Sequence, residues 1–450
     1  MEKRSNFSGK LGFILAAAGS AVGLGNIWRF PYLSAKYGGG IFLLVYVIFS
    51  ITFGFSLMVC EIAIGRKTGL SAIGAFGKIK KKYSFIGYIT SIIPIIILPY
   101  YCVIGGWVMK YLFSFVTSQG YEASLDGYFD SFIGNSGETV IWLGLFAILT
   151  FIIVMLGVEK GIEGVSKIAM PLLASLSLCI SVYVIFLPGA WEGVVYYIKP
   201  DFSHFSVETV VGAVGQLFYS MSLAMGIMIT YGSYMKKDVN IEKSVHSIEF
   251  FDTLIAFISG LMIIPAVFAL SGGDESSLGQ GPGLMFVTLP KVFSVMRGGE
   301  IIGTLFFLLV FFAALTSSVS MAEAIVSIIK DKTRLSRTFI CLIVLGCVVL
   351  LGVPSCLGYS VWSDFKILGL QILDLFDFVS NSILMPISAL LVCIFIGYVT
   401  KPKFITDEIE LNGKFKSKAL FTVMIKYIAP VFLVAILVSS VLDIFGIMVI

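Results

Sequence analysis

The chain has 450 residues, 58% of them hydrophobic and only 13% charged, with a mean hydropathy of +0.99 and a formal net charge of +4. A chain this apolar is not a water-soluble enzyme or module, and so small a positive excess does not indicate a nucleic-acid partner. A bilayer core of about 30 Å needs about 20 apolar residues per helix. Eleven such runs follow in chain order: residues 11–34, 41–65, 85–115, 138–157, 166–187, 207–234, 244–270, 300–329, 337–353, 370–398 and 421–446. Most loops between them are too short to fold independently, so residues 1–450 are expected to form one membrane domain. Of the 31 Lys and Arg residues, 24 fall on one side of the bilayer if the N-terminus is cytoplasmic. Only Lys36, Lys199, Lys291, Arg297 and Lys366 fall on the other, and Arg29 and Lys110 lie within spans. The positive-inside rule then places the N-terminus in the cytoplasm and, with an odd span count, the C-terminus outside.

The alternative for the N-terminus is a cleaved leader, because Lys3, Arg4 and Lys10 precede an apolar stretch ending in Ala16-Ala17-Ala18-Gly19-Ser20. The apolar run is short for that role, and Gly-Leu-Gly-Asn-Ile-Trp-Arg-Phe-Pro is no ordinary mature start. Span 1 carries Gly19, Gly23 and Gly25 at mid-depth, followed by Asn26 and Arg29. Gly19-x-x-x-Gly23 alone reads as close helix packing. A third glycine, and polar groups inside a span, argue instead for a broken helix that lines a site. Span 6 has a comparable defect from Gln216 through Ser220 and Ser222 to Gly226. Matching interruptions in two halves mark a carrier's binding site if the chain is two five-helix repeats. The seven cysteines lie in or beside spans and suggest no disulfide framework. The two histidines, His204 and His246, sit near span ends, and no metalloprotease or nucleophile motif occurs. An intramembrane enzyme is therefore not expected.

The run from Gly19 to Pro31 with Gly38-Gly39-Gly40 resembles the signature of the neurotransmitter:sodium symporter family. The resemblance continues through Glu61-Ile-Ala-Ile-Gly-Arg66, Tyr100-Tyr101, Tyr231-Gly-Ser-Tyr234, Gly281-Pro-Gly-Leu284 and Ala313-Ala-Leu-Thr-Ser-Ser318. It implies an all-α integral membrane protein with a five-plus-five inverted repeat and broken helices 1 and 6. The first repeat would occupy residues 1–187, the second 207–398, and span 11 would follow at 421–446. The function implied is sodium-coupled symport of a neutral amino acid across the cell membrane by alternating access. The alternatives are a proton-coupled carrier and a non-transporting receptor on the same scaffold.

Two sodium sites are implied. The first would use the Ala21 carbonyl, Asn26, Ser220 and Asp252, with the substrate's own carboxylate. The second would use carbonyls of Gly19, Val22 and Ala313 with the hydroxyls of Thr316 and Ser317. Sodium is a hard ion that takes such oxygens; for the Thr316-Ser317-Ser318 hydroxyls, the competing reading is back-bonding to a helix carbonyl. Asp252 departs from the family's usual asparagine, and Ala256 stands where chloride-dependent relatives have a serine. Asp252 is therefore expected to supply the negative charge permanently, so that chloride is not required. Gly23 replaces the aspartate of monoamine carriers, which points to an α-amino acid with its own carboxylate. Its pocket would be formed by Ala21, Leu24, Gly25, Ile97, Tyr101, Tyr219, Ser222, Met225, Ser317 and Met321, and the two adaptable methionines favour large hydrophobic or aromatic side chains. Arg29 and Asp377, bridged by Gln216, would close the outer side, with Asp374 as the rival partner. Arg4 and Asp331 with Tyr234 would latch the inner side. Gly161 and Pro171 are spaced as in relatives whose span 5 unwinds.

Overall fold

The computed structural model describes residues 6–272 and 282–444, so Arg4 and Gly281 lie outside the described residues. The described chain is helical throughout, with only two isolated bridges, Gly39–Pro200 and Ile367–Leu370, and no strand. Among the described residues, nine helices are long and apolar enough to cross a bilayer: Gly40–Thr68, Lys81–Val116, Ser136–Met155, Val158–Ile185, Ile241–Ser271, Gly299–Lys332, Arg337–Leu357, Ile372–Val399 and Lys418–Leu442. A tenth consists of Lys10–Ala21 and Gly25–Lys36, bent by 53° at a short break. The region expected as span 6 is two short helices, Val207–Ser220 and Ile227–Ser233, separated by the non-helical residues Met221–Gly226. Neither piece alone is long enough to cross.

Helix starts follow local chemistry. Ser206 and Thr209 form a capping box at the first half of span 6. Asn135, Asn240 and Ser336 accept backbone N–H bonds at the starts of spans 4, 7 and 9. Gly157, at φ +88°, separates spans 4 and 5. The break therefore falls one turn before Gly161; both Gly161 and Pro171 lie within the intact helix Val158–Ile185. Gly161 is instead required for packing, since a Cβ there would lie 2.1 Å from the Ile153 carbonyl oxygen.

Among the nine continuous spans, Lys81–Val116 and Gly299–Lys332 are the most deeply buried and Lys418–Leu442 the most exposed. On one face a short helix, Lys403–Ile409, links the last two spans. It is clamped by Arg66, whose fully buried guanidinium donates to Glu408 at 2.8 Å, to the Val239 carbonyl at 2.6 Å and to Asn412. Removing one partner of a buried ion pair costs about 3–5 kcal/mol because the other charge stays buried. Glu408→Ala is accordingly expected to lower the thermal midpoint in detergent markedly. An unchanged midpoint would contradict this account of the clamp.

Candidate functional site

The two helix interruptions face each other. Span 1 leaves helical geometry at Val22, which is extended (φ −72°, ψ 105°), and resumes at Gly25. Its glycines are explained by close approach. A Cβ on Gly23 would lie 2.6 Å from Ser317 Oγ and 3.2 Å from Tyr101 Oη, and one on Gly25 would lie 2.5 Å from the Tyr219 ring. Span 6 is interrupted differently. Ser222 and Ala224 sit at φ +53° and +63°, a region side chains rarely occupy, so the surroundings must hold them there. Glu61 accepts the Ala224 N–H at 2.7 Å, and Ser222 Oγ donates to the Ser20 carbonyl at 2.9 Å.

Between the breaks lies a cavity of about 30 Å³ lined by Ser20, Ala21, Gly23, Leu24, Gly25, Ile97, Tyr101, Tyr219, Ser222, Met225, Ser317 and Met321. All ten residues assigned to the substrate pocket from the sequence are among them, joined by Ser20 and Gly23. No lining residue is charged. A second, outer cleft of about 170 Å³ is bounded by Arg29, Tyr219, Phe218, Asn381 and Ile436, among others. Tyr219 lines both.

Beside the inner cavity, Asn26, Ser220 and Asp252 form one fully buried cluster. Asn26 Nδ2 donates to Ser220 Oγ at 2.9 Å and to Asp252 Oδ1 at 2.8 Å, and Ser220 Oγ donates to the same carboxylate oxygen at 2.8 Å. Tyr46 Oη donates to Asp252 Oδ2 at 3.0 Å, and the Asn26 side-chain Oδ1 accepts the Gly23 N–H at 3.1 Å. Carboxylate, hydroxyl and amide oxygens concentrated in one dry place are the donor set a hard monovalent cation takes. A cation here would exchange some of these hydrogen bonds for contacts with the same oxygens. Tyr46 was not legible as a site residue, because it lies in an apolar run with no local signal.

The residues assigned to the second sodium site also converge. Ser317 Oγ donates to the Ser20 carbonyl at 3.1 Å and the Val22 carbonyl at 3.4 Å. Thr316 Oγ1 back-bonds to Phe312 and Ala313 at 3.0 and 3.2 Å, the alternative geometry anticipated for these hydroxyls. A Cβ on Gly19 would meet Thr316 Cβ at 3.5 Å, so Gly19 borders the same place.

The outer-gate residues are held by other partners in this conformation, and Arg4 of the inner gate lies outside the described residues. Among the described residues Arg29 and Asp377 form no ion pair. Arg29 lies over the Tyr219 ring, 5.3 Å from its centroid, while Asp377 accepts from Tyr100 at 3.0 Å and from Asn381. Gln216 does not bridge them: its Nε2 donates to the Gly25 carbonyl at 2.8 Å. The rival partner Asp374 accepts from Tyr359. On the inner side, Asp331 accepts from the Ser71 N–H and hydroxyl at 2.8 and 2.6 Å. Tyr234 donates to Glu323 at 2.6 Å, and Glu323 is paired with Arg337.

A multi-pass helical bundle with two facing helix breaks around a small buried cavity and a dry oxygen cluster is the architecture of a secondary carrier. The comparisons agree. Residues 4–125 and 125–447 match the sodium:neurotransmitter symporter family. The uncharacterized sodium-dependent transporter YhdH of Bacillus subtilis is 36% identical over 444 residues, covering 95% of this chain and 96% of that protein. An uncharacterized sodium-dependent transporter of Haemophilus influenzae is 33% identical, covering 98% of each. The crystal structure of MhsT in complex with L-phenylalanine superposes with a TM-score of 0.89 at 38% identity, covering 97% of this chain and all of that one. The chain belongs to the sodium:neurotransmitter symporter family. It is a multi-pass membrane protein and a sodium-coupled transporter, not an enzyme.

Proposed function

We propose that this protein imports a neutral L-amino acid with two sodium ions, independently of chloride, by alternating access. The observation that carries the reading is the uncharged cavity between the two breaks, directly beside the Asn26–Ser220–Asp252 cluster. A substrate amine finds no side-chain counter-ion among the lining residues, and Gly23 leaves none at the span 1 break. The substrate carboxylate would join Ala21, Asn26, Ser220 and Asp252 around the first sodium ion and accept a hydrogen bond from Tyr101. The amine would meet the carbonyls at the end of the first half of span 6, where the helix dipole is negative. The second sodium ion would sit among Gly19, Val22, Ala313, Thr316 and Ser317.

A large hydrophobic or aromatic side chain does not fit about 30 Å³ as it stands. Met225 and Met321, unbranched and adaptable, are the residues that would swing to admit it. The relative crystallised with L-phenylalanine supports this choice. Two sodium ions moving through 100 mV supply about 4.6 kcal/mol, enough for roughly thousandfold accumulation of a zwitterion. In this reading eleven helices cross the bilayer, residues 1–187 and 207–398 are inverted repeats, the N-terminus is cytoplasmic and the C-terminus is outside. Outer closure would bring Arg29 to Asp377, and inner closure would use Arg4, Asp331 and Tyr234.

Binding of each of the twenty amino acids to purified protein, in sodium and in potassium, tests the proposal. Sodium-dependent saturation by large apolar amino acids is expected, and saturation by amines alone would overturn it. Counterflow in proteoliposomes separates a carrier from a receptor. Tyr101→Phe is expected to weaken substrate binding about tenfold to hundredfold through loss of a hydrogen bond to a charged group. Unchanged affinity would remove Tyr101 from the carboxylate.

A further inference from the structure

We infer that the segment between spans 5 and 6 is seated in the headgroup layer of the outer leaflet, with phospholipid as its partner, and that it holds the outer half of span 1 at a fixed height in the bilayer. In the helix Ala190–Ile198, positions 191, 195 and 198 fall on one stripe, and Trp191, Val195 and Ile198 are all exposed. The other face, with Gly193 and Tyr197, is buried against span 7. Phe202, Phe205 and Val207 extend the exposed set to the start of span 6. Trp191 is 66% and Phe202 69% exposed, an apolar surface large enough to require a partner.

Depth along the neighbouring helices identifies that partner. Carriers place their sites near mid-bilayer, and the Asn26–Ser220–Asp252 cluster supplies that level. Val207 starts its half-helix thirteen residues before Ser220, about 20 Å of helix. A Cβ on Gly193 would lie 2.8 Å from Pro265 Cα, and one on Gly260 would lie 2.2 Å from the Tyr197 ring. Gly260 and Pro265 follow Asp252 by eight and thirteen residues of span 7, about 12 and 20 Å. The hydrocarbon core ends about 15 Å from the midplane and the headgroup layer about 22 Å from it. The stripe therefore stands across the headgroup layer, continuous with the lipid-facing surface of the spans. Glu192, Lys199 and Asp201 are exposed among its apolar groups. Tryptophan and charge interleaved in this way suit a layer where apolar and charged chemistry meet, whereas a contact with another protein chain keeps charge to its rim.

The same segment grips span 1. Tyr196 Oη donates to the Ala35 carbonyl at 2.7 Å, and Gly39 bridges to Pro200. Gly38 and Gly40 permit the approach, since a Cβ on Gly38 would lie 2.5 Å from His204 Cβ and one on Gly40 2.5 Å from the Lys199 carbonyl. Ala35 belongs to Gly25–Lys36, the half-helix that also carries Asn26 and Arg29. Displacing the seat along the bilayer normal displaces this half-helix, and with it one wall of the oxygen cluster. Lipid thickness thereby reaches the cation site through a hydroxyl and a backbone bridge.

Tryptophan fluorescence of the full-length protein in phosphatidylcholine vesicles tests the seating. The emission added by Phe202→Trp, and that removed by Trp191→Phe, is expected to be quenched by lipid brominated near the headgroup more than by lipid brominated near the chain end, and little by aqueous iodide. Quenching by iodide with none by either lipid would overturn the seating. Quenching by none of the three would also overturn it, because a protein chain then covers the patch. Binding of radiolabelled sodium tests the grip on span 1. Sodium affinity is expected to change about tenfold between vesicles of short-chain and long-chain lipid, and most of that change to disappear in Tyr196→Phe, which keeps the ring and the exposed stripe. No change in the wild type, or an equal change in Tyr196→Phe, would overturn the coupling. Quenching needs neither sodium nor substrate, and sodium binding needs no amino acid, so a failure of the amino-acid assignment leaves both tests standing.

Discussion

Asp252→Asn is expected to reduce sodium-dependent uptake about hundredfold or more, while wild-type uptake is the same in gluconate as in chloride. The carboxylate is fully buried and accepts hydrogen bonds from Asn26, Ser220 and Tyr46. Those donors are arranged for an anion, and a cation beside them is balanced by its charge. An asparagine presents one acceptor oxygen and no charge, so the cation loses its counter-charge in a low-dielectric place and several donors lose their acceptor. Removing one partner of such a buried charged network costs about 3–5 kcal/mol, which converts to at least a hundredfold. Chloride is not expected to rescue the variant, because Ala256, buried on the same helix, offers no hydroxyl to hold an anion. Radiolabelled uptake into proteoliposomes, with internal and external anion exchanged, measures both arms. A wild type that stops in gluconate would sink the charge assignment.

The second large effect is expected from Gly23→Ala. The added methyl carbon would sit 2.6 Å from Ser317 Oγ and 3.2 Å from Tyr101 Oη, in a cavity of only about 30 Å³. Ser317 can rotate away only by giving up its bonds to the Ser20 and Val22 carbonyls, and Tyr101 is buried. Overpacking of this kind costs about 1–3 kcal/mol, and here the space removed is the substrate's own. Affinity for the best amino acid is expected to fall about hundredfold, with the thermal midpoint of the unliganded protein lowered by a few degrees. Gly19→Ala serves as the control, since its closest contact is 3.3 Å to Ser166 Oγ and the effect should be milder. Equal binding by wild type and Gly23→Ala would falsify the placement of the substrate at this break.

Much of this architecture was legible because membrane helices announce themselves. Apolar runs of about 20 residues gave the spans, and the glycine cluster of span 1 and the serines of span 6 gave the two breaks. The residues that line the inner cavity were reached through a motif specific enough to carry over one position at a time. What the sequence hid is long-range geometry. Tyr46 reaches Asp252 from 206 residues away along the chain, and Glu61 reaches the backbone of Ala224 from span 2, with no local pattern to betray either. The partners of the outer-gate residues in this conformation were hidden for a similar reason. Complementary charge predicts that Arg29 and Asp377 can meet, but Tyr100 and Asn381 compete for the same carboxylate. The left-handed Ser222 and Ala224 defied composition outright, since neither residue favours that conformation.

Tyr219, the single residue shared by the two cavities, has a kinetic consequence. Tyr219 lines both the outer cleft and the inner cavity, so a rotation of this one side chain alters the wall the two share. Side-chain rotations are orders of magnitude faster than collective helix motions, which fall in the microsecond-to-millisecond range. In the proposed mechanism, arrival of a ligand and commitment to it would thereby be separated in time. A molecule that does not suit the cavity would leave again before the slower helices respond, so discrimination among ligands would precede the step that spends the ion gradient.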